Sequence, residues 1–340
     1  MKNALNPRLL GVALIVVALL LAPIVFSEQQ YLLRVVSTAA IYAIAAYGLN
    51  IILGLTGQLS LAHGAFFGVG AYTVGLLTTD YDWAFWTAFA VAIVATTVLG
   101  YVSGLIALRT QGAYFAIFTM ALGFIIFIVI TRWESVTHAH SGVSGVKFPE
   151  NIGPIDFTEP ATMYYFILLF LAAAAYTTHA LLSSNAGRSL VAIRTSEDLA
   201  KSIGVNVAVS KQLAFTASAT IAGIAGGLFA SLNGFIGPDS AGIDRTFELL
   251  LFLLIGGLGT VMGPILGSLL VAFLFEMLQD LETYRFIVLG PIIVLLVIFA
   301  PRGIIGYLNS AVPARFKRRD TTLSGSALPA GSTTKNEEVL

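Results

Sequence analysis

Residues 247–279 read FELLLFLLIGGLGTVMGPILGSLLVAFLFEMLQ, and this block decides how the chain is expected to fold. Almost every position is apolar, but the run is broken by Gly256-Gly-Leu-Gly259 and by Gly263-Pro264. A helix that crosses a bilayer needs roughly 20 apolar residues. The block is too long for one simple helix, so we predict a hairpin of two short helices that turns at residues 256–263.

The composition of the whole chain places this hairpin in a lipid bilayer. The chain has 340 residues, of which 57% are hydrophobic and 11% are charged. Soluble domains carry roughly 25% charged residues. The apolar runs are long and continuous, unlike the alternating segments of a β-barrel. We therefore predict an all-α polytopic membrane protein. The formal net charge is zero, so nothing indicates a nucleic-acid partner, and the absence of cysteine excludes disulfides and thiolate chemistry.

Other apolar runs have the length of single membrane crossings. The predicted spans are residues 9–26, 32–53, 59–79, 84–108, 112–131, 162–182, 208–232 and 286–301. The first run can also be read as a signal peptide, but we expect a retained helix within residues 1–30. The transmembrane domain is then residues 31–308, and residues 309–340 have the composition of a disordered tail. The sequence thus predicts about eight transmembrane helices and one hairpin.

Basic residues predict which helix ends lie inside the cell. With Lys2 inside and the spans alternating, the Gly- and Pro-rich loop 132–161 falls outside and the segment 183–208 falls inside. The basic run Arg315–Arg319 should also lie inside, which requires that residues 247–279 enter and leave on the same face. We therefore predict a re-entrant hairpin in a cytoplasmic (inner) membrane, with both termini in the cytoplasm.

The inner segment contains a short charged helix that a simple connection would not need. Residues 194–211 read RTSEDLAKSIGVNVAVSK, and Thr195-Ser-Glu-Asp198 matches a capping box. Glu197 and Lys201 have the spacing of a favourable ion pair on a helix, and Gly204 is a natural helix stop. These features indicate a docking helix for a cytoplasmic partner. The alternative is a helix on the membrane surface that only covers the bundle.

Residues 54–72 form the most polar part of any predicted span. Polar side chains alternate here with glycines, and Gly64 and Gly68 have the spacing of close helix contacts. The pattern fits either ordinary packing of small residues or a break in the helix that faces a water-filled route. We favour the second interpretation, and the predicted pathway residues are Thr56, Gly57, Gln58, Ser60, His63 and Gly64.

The glycines of the hairpin predict close helix packing more strongly than contact with a substrate. These residues are Gly256, Gly257, Gly259, Gly263 and Gly267. Carboxylates inside a membrane often mark ion or proton relays. Glu248 and Glu276 are the acidic residues nearest to the membrane interior, but the predicted topology places both near the outer ends of their helices. We therefore expect them to lie at the interface.

Three stretches resemble a known family, the permease subunits of ATP-binding-cassette importers, specifically the LivM type of the branched-chain amino acid transporters. They are residues 54–72, with GLTGQLSLAHGAFFGVGAY, residues 188–204, and residues 256–267, with GGLGTVMGPILG. The likeness covers roughly residues 30–308. Ala200 and Gly204 match the family's coupling loop, whereas Asp198 stands where that loop often has alanine.

The resemblance implies a type II importer-like permease that works in a larger complex. This chain has no G-x-x-x-x-G-K-[ST] loop, so it is not itself the ATPase. ATP and Mg would be bound by two separate cytoplasmic subunits, and this chain would bind no cofactor or metal of its own. The implied partners are a second homologous permease and an external substrate-binding protein that delivers an amino acid. The residues expected to couple to the ATPase are Thr195, Glu197, Asp198, Ala200, Lys201 and Gly204.

Other functions stay open at this point. Within the family, the substrate is expected to be a branched-chain or related amino acid, but urea or a short amide is the alternative. From a different class, an ion-coupled secondary transporter would need buried charges at mid-membrane, in which this sequence is poor. A scaffold without transport activity would not need the polar block at residues 54–72.

Overall fold

The computed structural model describes residues 7–26 and 28–277 together with 303 and 305. The predicted span 286–301 and the tail 309–340 lie outside the described residues. Within them the chain forms α1 (Pro7–Val25), α2 (Gln30–Leu49), α3 (His63–Thr79), α4 (Phe85–Ala107), α5 (Ala113–Arg132), α6 (Glu134–Thr137), α7 (Pro160–Ser183), α8 (Asn185–Thr195), α9 (Glu197–Ser202), α10 (Val207–Asn233), α11 (Ile243–Gly256) and α12 (Gly263–Met277).

Five of these helical segments are long and apolar enough to cross a membrane. They are Gln30–Leu55, Phe85–Ala107, Ala113–Arg132, Pro160–Ser183 and Val207–Asn233. Shorter apolar helices are Leu14–Val25 and Gly263–Met277. The structure therefore confirms a polytopic α-helical membrane architecture. It corrects the predicted span 59–79, because α3 begins only at His63.

Helices α3 and α10 form the centre of the bundle, and glycines let their backbones touch. A Cβ atom at Gly226 would lie 1.9 Å from the carbonyl oxygen of Phe67. A Cβ atom at Gly70 would lie 2.1 Å from the carbonyl oxygen of Gly223. Without a hydrophobic force between helices in lipid, such close backbone packing supplies the association energy. The small residues of the sequence thus decide which helices are central.

Helices α4, α5 and α7 lie around this centre and present apolar side chains outward. Val94, Ile125 and Leu169 are among the exposed residues on these three helices. The exposed apolar surface is what a hydrocarbon environment requires of a membrane protein. High hydropathy therefore identifies the outer helices of the bundle better than it identifies the helices of its core.

Helices α11 and α12 pack as a pair of short antiparallel neighbours around the turn at residues 257–262. A Cβ atom at Gly256 would lie 1.9 Å from the carbonyl oxygen of Gly263, and one at Gly267 would lie 1.8 Å from that of Phe252. The predicted hairpin glycines thus lie where two backbones touch. The φ angles of Gly257 and Gly259 are 120° and 72°, values that side chains with a Cβ rarely adopt.

Helix α11 begins inside the bundle and not at its surface. A Cβ atom at Gly68 would lie 2.2 Å from Cβ of Ala241, and one at Gly64 would lie 2.4 Å from the carbonyl oxygen of Gly242. The chain before α11 therefore packs against the first turns of α3. Glu248, in the second turn of α11, is partly buried, with a side chain that is 29% exposed. Its position at the membrane interface stays a prediction.

The long loop 132–161 is ordered against its neighbours at one end of the bundle. Its strand β1 (Val143–Ser144) pairs with the antiparallel strand β2 (Phe235–Ile236). The carboxylate of Glu150 accepts a hydrogen bond of 2.7 Å from the backbone N–H of Phe85. We call this the loop end, and we call the opposite end, which carries α8 and α9, the coupling end.

Candidate functional site

The connection between α2 and α3 is irregular at the coupling end. A π-helical turn, Asn50–Leu55, continues α2, and residues 57–62 are not helical. Gly57 has a φ of 74°, so the chain reverses its course at a residue without a side chain. Single π-helical turns are rare and occur frequently at functional sites. The break falls within the stretch that the sequence analysis assigned to a pathway.

Several polar atoms in this break are buried without a hydrogen-bond partner among the described residues. They are both amide atoms of Gln58, Oγ of Ser60 and Nδ1 of His63. Leaving such a group unsatisfied costs about 1–3 kcal/mol, and buried polar groups in native proteins nearly always bind another polar group or water. The break is thus a polar element, with unpaired donors and acceptors, in a largely apolar bundle.

Other predicted pathway residues are already occupied by contacts within the chain. The hydroxyl of Thr56 donates to the carbonyl oxygen of Ile52 at 2.5 Å, so it serves its own helix. Gly64 packs against the start of α11, and its backbone N–H donates to Oγ1 of Thr246 at 2.8 Å. Thr56 and Gly64 therefore shape the break, whereas Gln58, Ser60 and His63 supply its unpaired polar atoms.

His63 also connects the break to α10. Its Nε2 lies 3.1 Å from Oγ of Ser218, and that hydroxyl donates to the carbonyl oxygen of Gly48 at 2.6 Å. The histidine is fully buried. These contacts join α2, α3 and α10 at one point, which is a structural role that leaves Nδ1 facing the break.

Arg194 ties the coupling end directly to the π-helical turn. Its Nη1 donates to the carbonyl oxygen of Gly54 at 2.6 Å. Gly57 also contacts this arginine, because a Cβ atom there would lie 3.0 Å from Cγ of Arg194. Arg194 lies in the last turn of α8. A shift of α8 would therefore pull on the carbonyl group of Gly54, within the π-helical turn that continues α2.

The turn between α11 and α12 meets the same point. The backbone N–H of Gly259 donates to Oδ1 of Asn50 at 2.8 Å, and Nδ2 of Asn50 donates to the carbonyl oxygen of Thr260 at 2.9 Å. A Cβ atom at Gly259 would lie 3.2 Å from the carbonyl oxygen of Gly54. Three elements thus converge at Gly54: the π-helical turn, α8 and the hairpin turn.

A cavity of about 400 Å³ lies between the break and residues 193–197 at the end of α8 and the start of α9, which we call the coupling segment. Its walls include residues 56–59 on one side and residues 193–197 on the other, with the start of α5 closing it. Gln58 and Arg194 both line this cavity. A water-accessible space therefore separates the two groups of residues that the sequence analysis assigned to different roles.

The N-cap residue of α9 differs from the prediction. Oγ of Ser196 accepts a hydrogen bond of 3.3 Å from the backbone N–H of Leu199, so Ser196 is the N-cap of α9. The predicted cap, Thr195, is the last residue of α8, and its hydroxyl donates to the carbonyl oxygen of Val191. The prediction was wrong because α8 extends through Thr195, and the backbone first leaves the helical region at Ser196.

The predicted ion pair of Glu197 with Lys201 is also wrong. Glu197 pairs with Lys211 of α10 and accepts a hydrogen bond of 3.1 Å from Nε2 of Gln111. Lys201 instead lies 3.5 Å from the carboxylate of Asp198. The side chain of Lys211 is only 3% exposed. A buried ammonium group needs a partner, and this need outweighs the weak pair along α9.

The end of the coupling helix agrees with its sequence. Gly204 has a φ of 86°, and its N–H donates to the carbonyl oxygen of Lys201, while the N–H of Val205 donates to that of Ala200. This pair of bonds is a Schellman motif, which ends a helix at glycine. Ala200 is buried against the bundle. Leu199 and Ile203 face away from it and are 62% and 67% exposed.

The sequence analysis missed the residues that connect these parts. Asn50 stands in an apolar run, and Arg194 and Lys211 were counted only as charges on the inner side. The sequence offered a signal for each of them, because a polar side chain within or beside a membrane span must bind another polar group. The partners themselves are 14 to 210 positions away in sequence.

Long apolar helices around a polar break, with a charged segment tied to that break, define a multi-pass membrane permease. The model of the family described as branched-chain amino acid transport system, permease component, matches residues 31–299. The chain belongs to this family. No solved structure matches the chain.

Curated relatives agree with this assignment. The chain is 30% identical to the high-affinity branched-chain amino acid transport system permease protein LivM of Escherichia coli (strain K12), over 89% of this chain and 76% of that protein. It is 26% identical to the corresponding LivH protein of the same strain, over 82% of this chain and 95% of that one. It is 24% identical to the BraD protein of Pseudomonas aeruginosa, over 84% of this chain and 97% of that protein.

Proposed function

We propose that this chain is one permease subunit of an ATP-driven importer that passes branched-chain amino acids across the cytoplasmic membrane by alternating access. The observation that carries the proposal is the bond from Arg194 to Gly54, which joins the coupling segment to the polar break. Family membership supports the substrate class. Its relatives LivM, LivH and BraD are named as branched-chain amino acid permeases.

The coupling end would bind one of two cytoplasmic ATP-binding subunits. Leu199 of α9 and Ile203, which directly follows α9, form an exposed apolar pair beside the charged residues Asp198 and Lys201. Exposed apolar side chains rimmed by polar groups mark protein interfaces. ATP and Mg would be bound on those subunits, and this chain would receive only the movement that their closure produces.

Two connections would carry that movement into the membrane. The ion pair between Glu197 and Lys211 joins α9 to α10, the central helix of the bundle. The bond from Arg194 joins α8 to the π-helical turn and the hairpin turn. Movement of the coupling segment would thus reach the break from two sides and change access to Gln58, Ser60 and His63.

The proposed orientation follows from the same assignment. The coupling end would face the cytoplasm, and both termini with it, while the loop end would face the external substrate-binding protein. The pair α11 and α12 would then be a re-entrant hairpin that enters from outside. Irregular backbone at that depth is tolerated when protein covers it, and the exposed face of α11, with Phe247 and Leu254, fits cover by a second permease.

Uptake of radiolabelled leucine by proteoliposomes that contain the whole complex tests the proposal. We expect uptake that requires hydrolysable ATP on the coupling side and survives a protonophore. Uptake that ignores ATP and collapses with the protonophore would instead identify an ion-coupled transporter. ATP-dependent uptake of urea without leucine uptake would keep the mechanism and change the substrate.

Assembly with the ATP-binding subunits tests the docking surface separately. Leu199→Asp combined with Ile203→Asp should prevent their co-purification, because two carboxylates replace the apolar contact. Ile155→Asp, on an exposed isoleucine of the loop end, is the control and should co-purify normally. Normal co-purification of both variants would place the ATPase contact elsewhere.

A further inference from the structure

An ion pair in α11 lies inside the helix bundle, away from the coupling end. Nη1 of Arg245 lies 2.6 Å from the carboxylate of Glu248, and the two side chains are only 15% and 29% exposed. The residues are three apart on one helix. The bond between the two members therefore lies within one element of the fold, and this bond is not a tether between helices.

Aromatic rings from three other helices surround the guanidinium group. Its central carbon lies 5.0 Å from the ring centre of Tyr42, 5.5 Å from that of Phe229 and 5.8 Å from that of Phe67. Nη1 also donates to the hydroxyl of Tyr42 at 2.6 Å. Cation–π contacts of this kind hold a cation in an apolar setting. We call Tyr42, Phe67, Phe229, Arg245 and Glu248 the aromatic box.

The arginine has donors that the chain does not use. Nε of Arg245 is buried and has no hydrogen-bond partner among the described residues. A guanidinium group presents its donors in a planar fork that matches both oxygens of a carboxylate. The edge that contains Nε is thus free to bind an anion while Nη1 stays on Tyr42.

The energetics argue that the pair has a role other than stability. Replacing a buried ion pair by apolar residues of similar size is often neutral or stabilising. Ionisable residues inside a membrane mark substrate or ion pathways by default. A charged pair within one helix, placed among phenylalanine rings, is therefore better explained by a ligand than by folding.

The aromatic box lies next to the polar break. Phe67 follows His63 by one helical turn on α3, so the two side chains lie on the same face of that helix. Thr246, beside Arg245, accepts the backbone N–H of Gly64 at 2.8 Å. The side chain of Glu248 is 29% exposed, so the carboxylate end of the box is not fully closed by the described residues.

We propose that the aromatic box binds the transported amino acid during its passage, with Arg245 on the carboxylate and Glu248 on the ammonium group. The proposal rests on the function proposed above, and it names the permease residues that bind the charged groups of the substrate. A zwitterion replaces one internal ion pair by two external ones, and no charge is left unpaired. Urea and short amides carry neither charge, so the box selects α-amino acids against them.

The ratio of leucine transported to ATP hydrolysed, measured in proteoliposomes with saturating binding protein, tests the proposal. Glu248→Gln and Arg245→Gln should each lower this ratio about tenfold or more, since a hydrogen bond to a charged group is lost. Arg245→Lys keeps the positive charge but loses the planar arrangement of donors. Its leucine-to-ATP ratio should therefore lie between that of Arg245→Gln and that of the wild type. Arg34→Gln removes an exposed arginine of α2 whose guanidinium donates to the backbone carbonyl oxygens of Leu232 and Asn233. It is the control and should keep the wild-type ratio.

A second readout does not depend on the behaviour of variants. A leucine analogue with a photoreactive diazirine side chain, applied to the wild-type complex during turnover, should label peptides that contain Tyr42, Phe67 or Phe229. Excess leucine should prevent the labelling, and urea should not. Unchanged ratios in both glutamine variants, or labelling confined to other helices, would overturn the proposal. Absence of any ATP-dependent leucine uptake by the wild type would instead contradict the proposed function.

Discussion

Two partly buried ion pairs in this protein differ in what they join. Glu197 and Lys211 connect α9 to α10 across 14 positions of sequence, at the coupling end. Arg245 and Glu248 lie three positions apart on α11, inside an aromatic box. The first pair fixes one element to another, so its removal should disturb structure. The second pair lies within one helix, and its arginine also contacts Tyr42 and three aromatic rings of other helices, so loss of Glu248 should disturb transport more than stability.

The burial of the two cations sharpens this difference. The side chain of Lys211 is almost completely covered, and Glu197 is its only ionic partner among the described residues. Arg245 has a carboxylate, a phenol and three aromatic rings. A cation with one partner depends on it entirely, whereas a cation with several tolerates the loss of one. Four variants should therefore differ in how much stability they lose, from the largest loss to the smallest.

Glu197→Ala should have the largest effect on stability. It leaves the ammonium group of Lys211 buried without a partner, which costs about 3–5 kcal/mol in the free energy of unfolding. Denaturant unfolding of the solubilised complex measures this. Adding Lys211→Met should recover most of the loss, because the uncompensated charge is gone. Equal stability of the single and double variants would show that the pair is not a tether.

Gly226→Ala should have a smaller but clear effect, because it disturbs the central contact on which both pairs depend. The added methyl group would lie 1.9 Å from the carbonyl oxygen of Phe67, and overpacking of this kind costs about 1–3 kcal/mol. Gly11→Ala in α1 has no atom within 4 Å and serves as the control. Thermal unfolding should separate the two variants. Identical midpoints would contradict the close α3–α10 packing.

Glu248→Gln should lower the free energy of unfolding by only about 1 kcal/mol, the size of one ordinary hydrogen bond. The glutamine amide still accepts from Arg245, and the contacts with Tyr42 and the rings stay. The same unfolding measurement as for Glu197→Ala provides the comparison. A loss as large as that of Glu197→Ala would mean that the two pairs have the same structural role.

Asp82→Asn should have the smallest effect, since the ion pair of Asp82 with Lys147 is exposed. The hydrogen bond from Lys147, followed by its charge, holds the pKa of Asp82 below its usual range. The small stabilisation is therefore present above the ordinary pKa and is lost as the pH falls through the lowered one. Unfolding midpoints of wild type and variant should converge at acid pH. A difference that grows on acidification would contradict this sign.

The sequence predicted the architecture well because its signals are local. Apolar runs and the glycines at 256–263 marked the helices and the hairpin turn, and Gly204 marked the end of α9 correctly. The start of α3 was placed too early, because residues 59–62 are apolar enough to extend a helix but lie in the break. Periodicity cannot show that Gln58 and Ser60 leave the helical conformation.

The partners of the site could not be predicted in the same way. The sequence paired Glu197 with Lys201 because both lie on one short helix, but burial of Lys211 decides the actual pair. Arg245 was not singled out, since its aromatic neighbours come from three helices that are distant in sequence. Contacts between remote positions depend on how helices pack, and hydropathy carries no information on that.

The central claim is that the coupling segment acts on the polar break through Arg194. The most direct test is the leucine-to-ATP ratio of Arg194→Ala in reconstituted complexes, beside Arg188→Ala on the same helix as control. Arg188 bonds only within residues 183–188. We predict that Arg194→Ala assembles and hydrolyses ATP but transports about tenfold less leucine per ATP, as expected for loss of a charge-assisted hydrogen bond, whereas Arg188→Ala behaves as wild type. A wild-type ratio for Arg194→Ala would contradict the account.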